Sequence, residues 1–299
     1  MHVNNIYNTL YMAKLNLDTG EINKGAIILE GNSPITNSHM EILNDFEVIY
    51  LGCAFNQSLE GLHNGIKAIR FYLNDEFYIR WNSRLYKNMD YNRFSFTQPI
   101  NNLHDGLEYL ELHGPGHSCQ EFNNLPKTLK YLFIYWRMHS LNKMGLELLP
   151  SGLEILYIDY SLVSTEVLAH LPSGLKGLYL NGPVEGTIHN LPKGLETLYI
   201  NGVVTQLDKF INIPDSLITF IFDDCKTARE NKYIIKWLFK NKKMPKSLKT
   251  CILPIFYVDI YRELQEWSKE FTEHNMDLQF YDMSTCIEQY MKPIKQMYE

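Results

Sequence analysis

Cysteines and long apolar segments are scarce in this sequence. The chain has 5 cysteines in 299 residues, an odd and widely spaced set without a CxxC pair. They form no disulfide framework, which indicates a reducing compartment. The longest apolar run, residues 251–258, is too short to span a bilayer and is interrupted by Pro254. Residues 1–10 show no basic segment followed by an apolar one, so no signal peptide is predicted. We expect an intracellular protein with no membrane partner.

An excess of positive charge is also missing. Lysine and arginine number 28 against 34 aspartates and glutamates, which gives a formal net charge of −6. Because binding of nucleic acids through overall charge depends on lysine and arginine, we expect no nucleic-acid partner. The lysine-rich segment 236–249 leaves a local anion site open, although lysines at the end of a predicted helix also complement the helix dipole.

Signatures of catalysis are absent or incomplete. The sequence has no phosphate-binding loop, GxGxxG, GxSxG or HExxH. The DTG triplet at 18–20 resembles the aspartic-protease turn, but that chemistry needs two carboxylates sharing a proton, and no second triplet exists. His113, His117 and Cys119 resemble metal ligands, but no second cluster completes a four-ligand site. We predict no catalytic residue, no metal, no cofactor and no enzyme activity.

A repeated decapeptide dominates the rest of the sequence. Its clearest copies are residues 149–158 (LPSGLEILYI), 171–180 (LPSGLKGLYL) and 191–200 (LPKGLETLYI). Copies start at positions 42, 62, 85, 103, 125, 149, 171, 191, 213 and 244, and every step but the last is between 18 and 24 residues. The copy at 85 is degenerate. Such regular spacing is typical of solenoids, in which each short unit buries the apolar side of its neighbours.

The pattern predicts an α/β solenoid. In L-x-x-L-x-L the last two leucines face the same way on a strand, so we expect one parallel strand per repeat on the concave face. Too few residues remain for a helix in each repeat, and we expect extended or 3₁₀ convex segments. We assign the solenoid to residues 42–253, an N-terminal β-hairpin cap to residues 1–41 and a C-terminal α+β cap to residues 254–299.

The repeats resemble the leucine-rich-repeat superfamily, in particular the FNIP-repeat proteins of amoebae and of the giant viruses that infect them. LPxxLxxLxx recurs at roughly 22-residue spacing, with FNIP-like signatures at residues 55–59 (FNQSL), 96–100 (FTQPI) and 210–214 (FINIP). The resemblance implies a protein-protein interaction scaffold without chemistry, in the cytoplasm of the host or in the virion. A virion or capsid-associated structural protein is one alternative. A substrate-receptor adaptor for ubiquitin ligation is another, although residues 1–41 do not resemble the F-box of some relatives.

Two strand positions, counted from the first leucine of L-x-x-L-x-L, are expected on the concave face. The fifth carries Tyr50, Arg70, Arg93, Glu111, Phe133, Tyr157, Tyr179, Tyr199, Ile221 and Ile252, and the third carries Val48, Ala68, Tyr91, Tyr109, Tyr131, Ile155, Gly177, Thr197, Thr219 and Thr250. Because aromatic residues are enriched at interfaces, we predict that a protein partner binds Tyr109, Tyr131, Phe133, Tyr157, Tyr179 and Tyr199. Tyrosine also favours strands for their own sake, and sheet stabilisation alone is the open alternative.

The second position carries charges that mostly alternate in sign: Glu47, Lys67, Asp90, Glu108, Lys130, Glu154, Lys176, Glu196, Ile218 and Lys249. On a parallel ladder this order places opposite charges side by side. We predict ion pairs between neighbouring repeats that help to fix the register.

Overall fold

The computed structural model describes most of the repeat region and parts of both ends. The described residues are 13–16, 27–30, 35–52, 55–71, 96–114, 122–136, 145–159, 163–164, 168–182, 184–185, 190–201, 213–222, 236, 240, 244–254, 261–269 and 277–281.

One parallel β-sheet runs through these residues. Every neighbouring pair of its strands is parallel. Numbered in chain order and given in spatial order, the twelve strands are β1 (Ala13–Asn16), β2 (Ile27–Glu30), β3 (Val48–Leu51), β4 (Ala68–Phe71), β5 (Tyr109–Gly114), β6 (Tyr131–Trp136), β7 (Ile155–Asp159), β9 (Gly177–Asn181), β11 (Thr197–Asn201), β12 (Thr219–Phe222), β13 (Thr250–Pro254) and β14 (Asp277–Tyr281). The predicted parallel solenoid is confirmed.

Each repeat enters its strand through the same turn. In the repeat before β7, the Leu153 N–H donates to the Pro150 carbonyl over 3.0 Å. The residue before the leucine is small because it lies against the previous repeat: a Cβ at Gly174 would be 2.6 Å from the Ser151 carbonyl oxygen. Where serine replaces this glycine, its hydroxyl donates to the backbone, as Ser216 does to the carbonyl of the leucine in the preceding repeat. At Gly174 the close approach of the two repeats therefore leaves no room for a Cβ, whereas a serine at the equivalent position gains a hydrogen bond to the preceding repeat.

The leucines form one continuous core along the length of the sheet. The nine strand-flanking and in-strand positions of the three clearest repeats are at most 1% exposed. They are Leu153, Leu156, Ile158, Leu175, Leu178, Leu180, Leu195, Leu198 and Ile200. Burial of these side chains, predicted from the L-x-x-L-x-L spacing, is confirmed.

Among the described residues, helices are few and short. Helix α1 spans Asn37–Leu43, a 3₁₀ helix spans Leu146–Leu148, and helix α2 spans Tyr261–Lys269. Two further strands, β8 (Val163–Ser164) and β10 (Val184–Glu185), pair in parallel in a small separate sheet. Among the described helices, none has the length and apolarity needed to cross a membrane.

The predicted N-terminal β-hairpin is wrong. Strands β1 and β2 pair in parallel, with Ala13 opposite Ile27, and β2 in turn pairs with β3. A parallel pair requires a return connection instead of a tight turn, and the predicted turn at residues 18–21 lies outside the described residues. Alternation of apolar residues is the same in both pairings, so it could not distinguish them. The boundaries at 41/42 and 253/254 stay a prediction, since one sheet runs across both.

The degenerate repeat at residue 85 contributes no strand between its predicted neighbours. Strand β4 pairs directly with β5, with Ala68 opposite Tyr109, and the Glu108 N–H donates to the Lys67 carbonyl over 2.8 Å. The predicted concave residues of that repeat, Tyr91 and Arg93, lie outside the described residues.

Candidate functional site

The face of the sheet opposite the leucine core carries a second row of large side chains. We call it the aromatic face. Its buried members are Ala68, Tyr109, Phe133, Tyr135, Tyr157, Tyr179, Tyr199, Ile221 and Ile252. They come from the third, fifth and seventh positions of successive strands, and the parallel register stacks each position in a column.

The six predicted partner-binding residues all lie on this face, but their expected exposure is wrong. Five of them are between 0 and 4% exposed, and only Tyr131 is partly exposed. The rings cover one another: Tyr109 and Phe133 have centroids 5.0 Å apart, and Tyr179 and Tyr199 have centroids 6.2 Å apart. The structure brings these residues together as a second interior layer. Partner binding at the five buried residues stays a prediction, and in the folded chain these five offer almost no surface to a partner.

A charged cluster lies within the aromatic face. The Glu111 carboxylate accepts hydrogen bonds from Arg70 Nε at 3.3 Å, from the Tyr109 hydroxyl at 3.1 Å and from His113 Nε2 at 2.7 Å. The Arg70 guanidinium also donates to the Tyr50 hydroxyl at 3.4 Å and lies over the Tyr50 and Tyr109 rings, 5.4 and 5.6 Å from their centroids. Arg70 is 6%, Glu111 2% and His113 1% exposed. The two opposite charges thus compensate each other inside the protein.

The tyrosines around this cluster stay protonated at neutral pH. Burial, followed by the negative charge of Glu111, raises the pKa of Tyr109 well above its usual value. The same two causes raise the pKa of Tyr135, whose ring stacks on His113 with centroids 4.3 Å apart. Both phenols therefore keep their protons as hydrogen-bond donors within the aromatic face.

A polar ladder ends three neighbouring strands on the same face. Asn181 Nδ2 donates to Asp159 Oδ1, and Asn201 Nδ2 donates to Asn181 Oδ1 at 2.7 Å. Asp159 is completely buried. Asn181 and Asn201 were not singled out as site residues in the sequence analysis, and so this ladder was missed. The signal was present as Asp, Asn and Asn at the seventh position of three consecutive repeats.

The second-position charges occupy the edge of the sheet where the strands begin. Each of their carbonyls accepts two N–H groups of the next turn, as the Lys130 carbonyl does from Glu154 at 2.8 Å and Ile155 at 3.0 Å. We call this row the charged rim: Glu47, Lys67, Glu108, Lys130, Glu154, Lys176 and Glu196. Since Lys67 and Glu108 are direct neighbours and Asp90 lies outside the described residues, the signs along it alternate without exception.

Two ion pairs of the charged rim confirm the predicted pairing. Lys130 Nζ lies 2.8 Å from Glu108 Oε2, and Lys176 Nζ lies 2.9 Å from Glu154 Oε2. The hydrogen bond from its glutamate raises the pKa of each lysine. These side chains are about one-third to one-half exposed, so water and salt weaken their attraction. Beside them, the third-position residues are partly exposed in six turns: Val48, Tyr131, Ile155, Thr197, Thr219 and Thr250.

Most residues of the remaining candidate sites lie outside the part of the chain that the structure describes. His117, Cys119 and the DTG triplet lie outside the described residues, while His113 belongs to the charged cluster. Within the part of the chain that the structure describes, no group of three or more His, Cys, Asp or Glu is arranged to hold a metal ion. In the lysine-rich segment, Lys236 Nζ lies 2.9 Å from Glu263 Oε2 of α2, and Lys240 is exposed.

Comparison with known proteins supports the fold. No family model matches the sequence, and no curated protein matches it. Among solved structures, the chain is similar to one described as CroV588, a novel circular LRR protein, with 21% identity and a TM-score of 0.50. The match covers 75% of this chain and 29% of that one, so the chain spans less than a third of that neighbour's length. The leucine-rich-repeat fold is confirmed, while the FNIP subfamily stays a prediction.

Proposed function

We propose that the chain is a non-catalytic leucine-rich-repeat scaffold that binds a protein partner inside the cell. The proposal rests on a difference between the aromatic face and the charged rim: polar groups are buried on the face and exposed on the rim. Arg70, Glu111 and Asp159 are buried and hydrogen-bonded within the protein. The charged rim, by contrast, presents side chains to solvent at regular intervals of about 4.8 Å, which suits an extended contact surface.

The contact surface we propose is the charged rim together with the third-position residues beside it. Of the six predicted partner-binding residues, only Tyr131 offers surface to a partner in the folded chain. Four glutamates and three lysines make up the rim, so it has no excess of positive charge for nucleic acid. A protein surface with interspersed charges of both signs matches it better.

We also propose that the repeats belong to the FNIP subfamily of leucine-rich repeats. The Phe55 and Phe96 rings stack with centroids 6.2 Å apart. Asn56 Oδ1 accepts a hydrogen bond from the Thr97 N–H at 2.8 Å, and Gln98 Nε2 donates to the Asn56 carbonyl at 3.1 Å. Two of the FNIP-like signatures therefore occupy equivalent places in successive turns and hold each other by side-chain contacts.

Pull-down from the native source, with cross-linking and mass spectrometry, tests the proposed surface. The variant Lys130→Glu/Lys176→Glu reverses two rim charges, and the matched control Lys127→Glu/Lys193→Glu reverses two exposed lysines in the turns before the strands. We expect the rim variant to lose the partner and the control to retain it, with cross-links at the rim. Recovery of every partner at unchanged yield by the rim variant would refute the proposed surface.

A further inference from the structure

We infer that the partner of the charged rim is a second copy of this chain, related to the first by a two-fold axis. The inference rests on the proposed role of the rim as a contact surface. It names the partner from two independent features of that surface, its charge order and the position of its apolar residues.

A row of strictly alternating charges is complementary to itself when a second copy runs in the opposite direction. If the two-fold axis passes between two neighbouring strands, every lysine faces a glutamate of the other copy. If it passes through a strand, like charges face each other. With the axis between β6 and β7, Lys130 faces Glu154, Glu108 faces Lys176 and Lys67 faces Glu196. This arrangement is isologous, as two-fold dimers require.

The charges allow a two-fold axis between any two neighbouring strands, and the apolar residues favour the axis between β6 and β7. Tyr131 and Ile155 are directly opposite each other in the parallel register of β6 and β7, and both are partly exposed. Toward the N-terminal end, the third position continues as the buried Tyr109 and Ala68 and ends at a partly exposed Val48. Toward the C-terminal end, it continues as a buried glycine and then as threonines. An axis between β6 and β7 thus brings the apolar pair of each copy to the centre, with charges on both sides. Stable interfaces have this apolar centre and polar border.

The charge order also rejects the neighbouring registers. A shift of one copy by one strand, about 4.8 Å, places glutamate against glutamate and lysine against lysine along the whole rim. Such like-charge contacts exclude wrong arrangements more strongly than the matched contacts add affinity. A partner with charge of one sign gains nothing on this surface, since attraction and repulsion alternate along it.

Sedimentation velocity of the full chain at increasing concentration tests the inference. At low salt we expect a monomer–dimer equilibrium by about 100 μM, and at about 1 M salt, where the screening length is roughly 3 Å, we expect dissociation. Tyr131→Thr/Ile155→Thr places at β6 and β7 the residue that Thr197, Thr219 and Thr250 supply at the same position. We expect this variant to keep its circular dichroism spectrum and to raise the dissociation constant about tenfold or more.

A charge swap distinguishes two roles of the alternating charges: contacts between two copies of the chain, and contacts within one copy. Lys176→Glu places two like-charged contacts across the axis and is expected to weaken the dimer about tenfold or more. Adding Glu108→Lys to it restores the facing pair between copies, while it leaves both residues beside like charges within each copy. We therefore expect the double variant to dimerise like the wild type although its melting temperature is lower.

A chain that sediments as a monomer at about 100 μM in low salt overturns the inference. A dimer that neither the threonine variant nor Lys176→Glu weakens overturns it as well. If the chain is monomeric but the rim variants still lose a different protein in the pull-down, the proposed scaffold function stands and only its self-association is refuted. If no protein contact depends on the rim, both fail.

Discussion

Removing the negative charge of Glu111 is expected to destabilise the protein strongly. Glu111 is the acceptor for Arg70, Tyr109 and His113, and it is almost completely buried. The substitution Glu111→Gln keeps the size of the side chain but leaves the Arg70 guanidinium without its counter-charge. Breaking a buried ion pair by changing one partner lowers the free energy of unfolding by about 3–5 kcal/mol.

The corresponding double substitution is expected to be much less harmful than the two single ones together. Arg70→Met alone leaves the Glu111 carboxylate buried without the guanidinium, for a loss of again about 3–5 kcal/mol. Arg70→Met/Glu111→Gln removes both charges and keeps an amide oxygen that can accept from the Tyr109 hydroxyl and His113 Nε2, for a loss of about 1–3 kcal/mol. The coupling energy between the two positions is therefore at least about 3 kcal/mol.

Urea unfolding followed by far-ultraviolet circular dichroism measures these differences. The matched control is Lys176→Gln, which removes a charge from the half-exposed charged rim and is expected to change the unfolding midpoint little. If Glu111→Gln unfolds within about 1 kcal/mol of the wild type, the cluster is accessible to water. The description of the aromatic face as a second interior layer would then be wrong.

Three further substitutions follow from the same packing. Leu178→Ala removes a completely buried core side chain and should lower the free energy of unfolding by about 2–5 kcal/mol in the same urea assay. Tyr179→Thr should lower the melting temperature clearly, because the ring is 4% exposed; an unchanged value would show that the ring faces solvent. Burial, with the nearby His63, lowers the pKa of His104 below its usual 6.5. The neutral His104 side chain therefore makes its full contribution to folding stability above about pH 6.5, and this contribution is lost as the pH falls through the lowered pKa. His104→Pro introduces the residue found there in other repeats and should reduce the fall in urea midpoint between about pH 7.5 and pH 5; an equal fall would assign the acid sensitivity elsewhere.

Repeat spacing was sufficient to predict the sheet and its register. Leucines at the fourth and sixth positions must face one side, and identical spacing in successive repeats places them side by side, as Leu156 and Leu178 are. Alternation along a strand carries no information on strand direction, which is why the pairing of β1 with β2 was predicted incorrectly. Nor does a weak repeat match, like that at residue 85, reveal that the strands on either side of it pair directly, as β4 and β5 do.

Burial of the aromatic face was harder to predict because alternation assigns a residue to a face without showing whether that face is covered. Tyrosine suits both an interface and an interior. The informative residues were Arg70 and Glu111, which interrupt an aromatic column with two opposite charges. When the repeat that starts at residue 85 is left out of the strand order, Arg70 and Glu111 lie on neighbouring strands. A compensating charge pair in a row of rings is typical of an interior position, where each charge needs a partner.

Two electrostatic systems in one sheet respond differently to salt, and that difference links the structure to the proposed function. The Arg70–Glu111 pair is enclosed by side chains, so dissolved ions screen it little. The Lys130–Glu108 and Lys176–Glu154 pairs are half-exposed, and screening weakens them and any contact they make with a partner. Because both faces of a parallel sheet can be buried, the start of its strands is where such a protein offers ordered charges. Association through the charged rim should therefore weaken at salt concentrations that leave the folded solenoid intact.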